Sequence, residues 1–292
     1  MSTFKQEFRC HNFCLGYFRD DLFYLSQWNL PPIVFLIYRF IVSAYVVGCF
    51  VYSIVDYEHS DLAKMHNPMA FLTMWSYLML ALHLLLAFIN SSTRVICEKR
   101  SCLRRPNDEP NFPSYDEYHN LDTAESSSSA GENEVHILSP HTIPWNFKLD
   151  WVLFSVCSVA AIMVTTVYFA FLYPDIAKQS KSKAPSVKDI NVHAMNSVIV
   201  LLEILLAAYP VRLLHFIYPI SYGLIYVIFS AIYWSFDHKN NVLYPGVLDW
   251  NNPGITCGMV VGIGVSMMIL HLIFYGIFRL KIFLYKKCFD IN

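Results

Sequence analysis

Residues 190–234 contain two long apolar runs joined by a short connection, Tyr209-Pro210-Val211-Arg212. A spanning helix needs about 20 largely apolar residues, because the hydrocarbon core of a bilayer is about 30 Å thick. Backbone that faces lipid must satisfy its own hydrogen bonds, which a helix does within one segment. The stretch therefore predicts a pair of membrane helices. His193 and Glu203 lie within the first run, where ionisable groups are costly and are candidates for function.

The composition extends this prediction to the whole chain. Of the 292 residues, 55% are hydrophobic and 15% are charged, whereas soluble domains are about 45–50% apolar and about 25% charged. Six runs are long enough to span. They are residues 33–55, 69–89, 151–173, 190–209, 213–234 and 255–278. The sequence thus predicts an all-α integral membrane protein with six transmembrane helices.

Positive charges predict the orientation of these helices. With six spans both termini lie on one side, and a cytosolic amino terminus places 14 Lys and Arg residues in cytosolic segments and 6 in outer loops. Cytosolic segments carry such an excess, so both termini are expected in the cytosol. The net charge of −1 gives no indication of a nucleic-acid partner, and the partners that we expect are membrane lipids. The membrane is expected to be the plasma membrane or the endoplasmic reticulum.

The remaining segments are polar. The expected organisation is a cytosolic amino-terminal segment that can form an interfacial helix (1–32), helices 1 and 2 (33–90), a largely disordered cytosolic loop (91–147), helices 3 to 6 (148–278) and a basic cytosolic tail (279–292). The loop is a candidate for recruiting cytosolic partners. Three thiols near the membrane are either palmitoylation sites or unmodified, namely Cys97, Cys102 and Cys288.

One short segment has the spacing of metal ligands. Cys10 and Cys14 flank His11, but a structural zinc site has four ligands and a fourth is missing. We therefore expect no metal, and no cofactor of any other kind.

A first set of polar groups lies near the outer face. Thr73 is about one turn into the second span and His193 is in the first turn of the fourth, so both lie at similar depth. A hydroxyl beside an imidazole is the minimum for nucleophilic catalysis, because histidine can take the proton while threonine attacks. Asn191 and Asn196 flank His193 and could orient its ring. The structural alternative is a threonine bonded to its own backbone and a histidine at the membrane interface.

A second set lies nearer the inner face. Arg39, His83, Glu203 and His271 each lie 6–7 residues from the inner ends of their helices, which is about 10 Å deep. A layer with a cation, an anion and two imidazoles can neutralise itself, and we interpret Arg39–Glu203 as a structural clamp. The rival interpretation is a proton or ion relay. A relay needs titratable groups at several depths, so the clamp is favoured.

Several motifs resemble the Rolling stone family of multi-pass membrane proteins over nearly the whole chain. They are Ser26-Gln27-Trp28, Tyr38-Arg39, Leu72-Thr73-Met74-Trp75, residues 193–197 (HAMNS), residues 209–216 (YPVRLLHF) and residues 244–250 (YPGVLDW). The founding member is associated with myoblast fusion in insects. The resemblance therefore implies a role in cell–cell fusion or adhesion.

The family is in turn distantly similar to the androgen-induced membrane hydrolases, which cleave fatty acid esters of hydroxy fatty acids with a threonine nucleophile and a histidine. That similarity implies Thr73 as the nucleophile and His193 as the histidine. Asn196 stands where those enzymes have a second histidine. The hypotheses are thus a lipid ester hydrolase and a non-catalytic fusion or adhesion protein. A transporter is the third hypothesis. It ranks last because the sequence contains no pair of helices broken by Gly or Pro and no inverted repeat.

Overall fold

The computed structural model describes residues 7–8, 13, 15–16, 20–28, 30–58, 66–101, 143–179 and 184–289. The residues with metal-like spacing, Cys10, His11 and Cys14, lie outside the described residues, as do Cys102 and most of the loop 91–147. Within the described part, six helices are long and apolar enough to cross a membrane, which confirms the predicted fold class. The cytosolic location of the termini stays a prediction.

The helices follow the order of the predicted spans. They are α1 (Pro32–Glu58), α2 (Leu72–Ser101), α3 (Trp145–Val167), α4 (Met195–Leu206), α5 (Ile217–Phe236) and α6 (Pro253–Cys288). A π-helical turn, Tyr168–Leu172, continues α3 into the short helix Tyr173–Gln179. The fourth span runs from Val187 to Leu206, because the short helix Val187–Asp189 and a second π-helical turn, Ile190–Ala194, lead directly into α4.

Three helices continue by more than one turn beyond the apolar runs that predicted them. Helix α2 runs past residue 89, α3 begins at Trp145 rather than at residue 151, and α6 runs past residue 278. The added turns carry the buried polar residues Asn90, Asp150 and Lys281. Hydropathy therefore marks where apolar composition ends, whereas these three helices continue through polar residues.

Helix α3 is the centre of the bundle. It packs against α2, α4, α5 and α6, while α1 packs on α2. Trp151 and Phe154 of α3 are almost fully buried, and Phe154 stacks on Tyr209 with ring centroids 4.7 Å apart. Helices α1, α5 and α6 instead expose many apolar side chains, such as Phe40, Ile225 and Val261. These faces suit contact with lipid.

The connection between α4 and α5 is a buried extended segment, residues 207–212. Its carbonyl oxygens accept hydrogen bonds from side chains of two other helices. Lys281 Nζ donates to Ala207 at 2.7 Å, and Trp151 Nε1 donates to Pro210 at 2.7 Å. The Arg212 carbonyl lies 2.9 Å from His271 Nε2. Non-helical backbone is tolerated near a membrane when protein satisfies it in this way.

The segment before α1 completes the carboxyl end of α4. The last carbonyls of a helix have no partner within it. Here the Leu206 carbonyl accepts from the Gln27 backbone N–H and from the Ser26 hydroxyl, both at 2.9 Å. Trp28 Nε1 donates to the Leu205 carbonyl at 2.7 Å. The Ser26-Gln27-Trp28 motif is therefore a cap for a helix 177 or more positions away in the chain.

Replacement of Ser26 by alanine should destabilise the protein by about 1 kcal/mol, the net value of one hydrogen bond to a helix end. Ser26 is buried, so the Leu206 carbonyl that loses this hydrogen bond stays shielded from water. Thermal unfolding in detergent measures the change. Ser266→Ala is the control, because that exposed hydroxyl bonds only to the Gly262 carbonyl of its own helix. Equal shifts in the two variants would contradict the capping role.

Candidate functional site

Thr73 lies in a cluster of hydroxyl groups at the start of α2. The Tyr244 hydroxyl accepts a hydrogen bond from the Leu72 backbone N–H at 2.9 Å and also interacts with the hydroxyls of Thr73 and Tyr226. The Tyr226 hydroxyl donates to the Ala70 carbonyl at 2.8 Å. Thr73 is 9% exposed. Its hydroxyl therefore has a tyrosine as its immediate neighbour.

The segment 244–250 brings Tyr244 over Thr73. Gly246 has φ of +77°, a conformation in which a side chain is strained, and it lets the chain reverse between Tyr244 and Leu248. Trp250 Nε1 donates to the Ser230 hydroxyl at 3.0 Å and so ties the segment to α5. Burial raises the pKa of the Tyr244 phenol, which keeps its proton available for donation.

His193 lies in the π-helical turn that precedes α4. Its ring stacks on Tyr168, with centroids 3.5 Å apart and planes inclined by 7°. The His193 carbonyl accepts from the Thr165 hydroxyl, so the backbone is held against the end of α3. His193 Nδ1 is buried without a hydrogen-bond partner among the described residues. The stacking thus holds the plane of the imidazole, while Nδ1 makes no hydrogen bond to the described residues.

Neither flanking asparagine reaches the His193 ring. Asn191 accepts a hydrogen bond from the Tyr45 hydroxyl at 3.0 Å, and Asn196 donates to the Val192 carbonyl of its own helix at 2.8 Å. The Ile190–Ala194 turn does contact α2, the helix that begins beside Thr73. Within the described residues, no hydrogen bond or ring contact joins Thr73 to His193.

Three members of the inner polar set lie together. Arg39 Nη2 is 3.7 Å from Glu203 Oε2, and His83 Nε2 is 3.9 Å from the same oxygen. All three side chains are almost completely buried. The Arg39 guanidinium also lies over the Phe35 ring, 4.7 Å from its centroid. The arrangement places a cation, an anion and an imidazole from α1, α4 and α2 in direct proximity.

Asp150 is the centre of this network, although it is not among the site residues predicted from the sequence. One carboxylate oxygen lies 2.7 Å from His83 Nδ1. The other accepts from the Tyr209 hydroxyl and from Asn90 Nδ2. Tyr209 is in turn 3.3 Å from Arg39 Nη1. Asp150 is therefore the acceptor that joins α3 to α2 and to the connection 207–212.

His271 and Lys281 of α6 both contact the connection 207–212. His271 does not join the cluster, because its Nε2 pairs with the Arg212 carbonyl. Lys281 was expected in a cytosolic tail, yet it is buried, bonds to the Ala207 carbonyl and interacts electrostatically with Glu203. The guanidinium of Arg39 and the amine of Lys281 thus lie in the same bundle as the two carboxyl groups of Glu203 and Asp150.

A signal for Asp150 is present in the sequence. It lies one residue before the third apolar run, with Trp151 after it. An acidic residue that close to a span can lie inside the helix if the helix begins earlier. When spans are predicted from averaged hydropathy, such a residue is placed outside the helix.

Comparisons with known proteins agree with the motifs. A family model described as "Protein rolling stone" matches residues 136–292. The chain is 26% identical over 285 residues to "Protein rolling stone" of Drosophila melanogaster, covering 96% of this chain and 90% of the fly protein. No solved structure matches.

Proposed function

Because the chain belongs to the Rolling stone family of membrane proteins, we propose that it hydrolyses lipid esters, with Thr73 as nucleophile and His193 as general base. The observation that carries the proposal is the buried Nδ1 of the half-buried His193 ring, which has no hydrogen-bond partner among the described residues and lies in a turn packed against the helix that bears Thr73. Single π-helical turns within α-helices occur frequently at functional sites.

The chemistry requires a proton acceptor within reach of the threonine hydroxyl. As Thr73 Oγ1 attacks the ester carbonyl, its proton passes to His193, and the protonated imidazole then donates to the leaving alcohol. Water next attacks the acyl-threonine. Its proton passes to His193 and on to Thr73 as the fatty acid leaves. Fatty acid esters of hydroxy fatty acids are the substrate class that the resemblance implies.

Thr73 and His193 contact other residues in this structure, so the proposed reaction requires a motion that brings them together. Thr73 interacts with Tyr244 rather than with His193, so the two reacting groups have to approach each other when substrate binds. The Tyr244 hydroxyl is bonded to the Leu72 backbone N–H, and the His193 ring is stacked on Tyr168. The proposal places the required motion at the outer ends of α2 and α4.

Membranes that contain the wild-type chain should be labelled by a fluorophosphonate probe, and Thr73→Ala and His193→Ala should each abolish labelling without loss of folding. Hydrolysis of a panel of lipid esters should be lost in parallel. Thr166→Ala is the matched control, because that exposed hydroxyl bonds only to the Ile162 carbonyl of its own helix. Folding is checked by thermal unfolding of each variant.

Two outcomes would overturn the proposal. Labelling that persists in both variants would remove Thr73 and His193 from the reaction, and a wild-type chain that is neither labelled nor active would remove the reaction itself. Loss of cell–cell fusion on deletion of residues 107–140, with Thr73→Ala harmless, would instead support the non-catalytic role in fusion.

A further inference from the structure

We call Tyr38, Arg39, His83 and Glu203 the Glu203 cluster. Six of its buried polar atoms lie outside hydrogen-bond geometry among the described residues, although the Tyr38 hydroxyl interacts with the Glu203 carboxylate. They are Tyr38 OH, Arg39 Nε and Nη2, His83 Nε2, and both carboxylate oxygens of Glu203. An unsatisfied buried polar group costs about 1–3 kcal/mol and more if it is charged. Six such atoms in one place therefore need a common explanation.

The tautomer of His83 supplies the first part of the explanation. Asp150 accepts hydrogen bonds from Tyr209 and Asn90, as expected of an ionised carboxylate. His83 Nδ1, 2.7 Å from Asp150, is therefore the donor of that pair. In a neutral imidazole the other nitrogen then carries a lone pair. His83 Nε2 and Glu203 Oε2 are thus two acceptors facing each other at 3.9 Å.

The Arg39–Glu203 distance supplies the second part. At 3.7 Å it exceeds the 2.7–3.2 Å typical of an N–H···O hydrogen bond. The guanidinium therefore attracts the carboxylate without donating to it. A small molecule that both donates and accepts would satisfy the acceptors and the donors together. Water does so, and buried waters typically make about three hydrogen bonds to groups that would otherwise lack a partner.

We infer that the Glu203 cluster holds a bound water molecule, which donates to His83 Nε2 and to Glu203 and accepts from Arg39. The water makes the buried ion pair an indirect one, bridged rather than bonded. It also lies at the free nitrogen of an imidazole whose other nitrogen is oriented by a buried carboxylate. That relationship is the one by which a histidine is prepared to accept a proton.

Solid-state NMR of the ¹⁵N-labelled wild-type chain in lipid bilayers tests the inference without a substitution in the cluster. We expect His83 Nε2 to give the signal of a non-protonated nitrogen. We also expect magnetisation to pass from water protons to the Arg39 Nε–H group. The internal control is Trp151 Nε1–H, which is buried and donates to the Pro210 carbonyl, so it should receive none. Loss of signals in His83→Gln and Arg39→Lys assigns them.

Two results would overturn the inference. A protonated His83 Nε2 would mean that an imidazolium faces Glu203 directly, with no need for a bridge. Transfer from water to Arg39 no greater than that to Trp151 would mean that the cluster is dry. Neither result depends on whether Thr73 and His193 are catalytic.

Discussion

Asp150→Asn should destabilise the folded chain by about 3–5 kcal/mol, the cost of removing one partner from a buried network of charges. Asp150 is fully buried and accepts from His83, Tyr209 and Asn90. Asparagine has nearly the same shape, but its amide group would turn a donor toward one of these donors. It would also leave the Arg39 guanidinium opposed by Glu203 alone. Thermal unfolding in detergent, followed by tryptophan fluorescence, measures the effect.

The matched control for this variant is Asp175→Asn. Asp175 pairs with Lys178 at 2.8 Å, but the two side chains are 71% and 75% exposed. Exposed ion pairs contribute about 0–1 kcal/mol, so the control should unfold close to the wild-type temperature. If both variants lose the same stability, Asp150 is not the centre of the network.

Arg39→Met should cost a similar amount, about 3–5 kcal/mol, because it leaves the Glu203 carboxylate buried without its nearest cation. The loss should be largely recovered in the double variant Arg39→Met/Glu203→Leu, since a buried ion pair can be replaced by apolar side chains at little cost. A double-mutant cycle on unfolding free energies measures the coupling.

The control cycle uses Lys188 and Asp56, an ion pair whose side chains are 42% and 37% exposed. Its coupling should be below about 1 kcal/mol. Strictly additive losses for Arg39 and Glu203 would show that the two groups do not depend on each other, against the observed proximity.

The sequence predicts the depth of a residue better than its direction. Counting from helix ends assigned Arg39, His83 and Glu203 to one depth, and the side chains of Arg39 and His83 lie 3.7 and 3.9 Å from that of Glu203. His271 was assigned the same depth, but it faces the connection 207–212 instead. Depth is set by the helical rise and can be counted, whereas the face on which a residue lies depends on how the helices rotate against each other.

The contacts of the outer site were also not predictable, because they too depend on the face of the helix on which each residue lies. Thr73 and His193 were predicted at similar depth, but Thr73 is in the first turn of α2, whereas the fourth span begins at Val187, six residues before His193. Thr73 interacts with Tyr244, and His193 stacks on Tyr168. Tyr244 belongs to a segment between spans, where the sequence contains no helical period from which to count. The contacts of such a segment depend on tertiary packing and could not be predicted from hydropathy.

The capping of α4 has a consequence for how the protein is made. The peptide groups at the end of α4 are satisfied by Ser26, Gln27 and Lys281, which come from near the start and near the end of the chain. A nascent chain that has emerged only through α5 lacks Lys281. The Ala207 carbonyl therefore gains its partner only after the last helix has been synthesised.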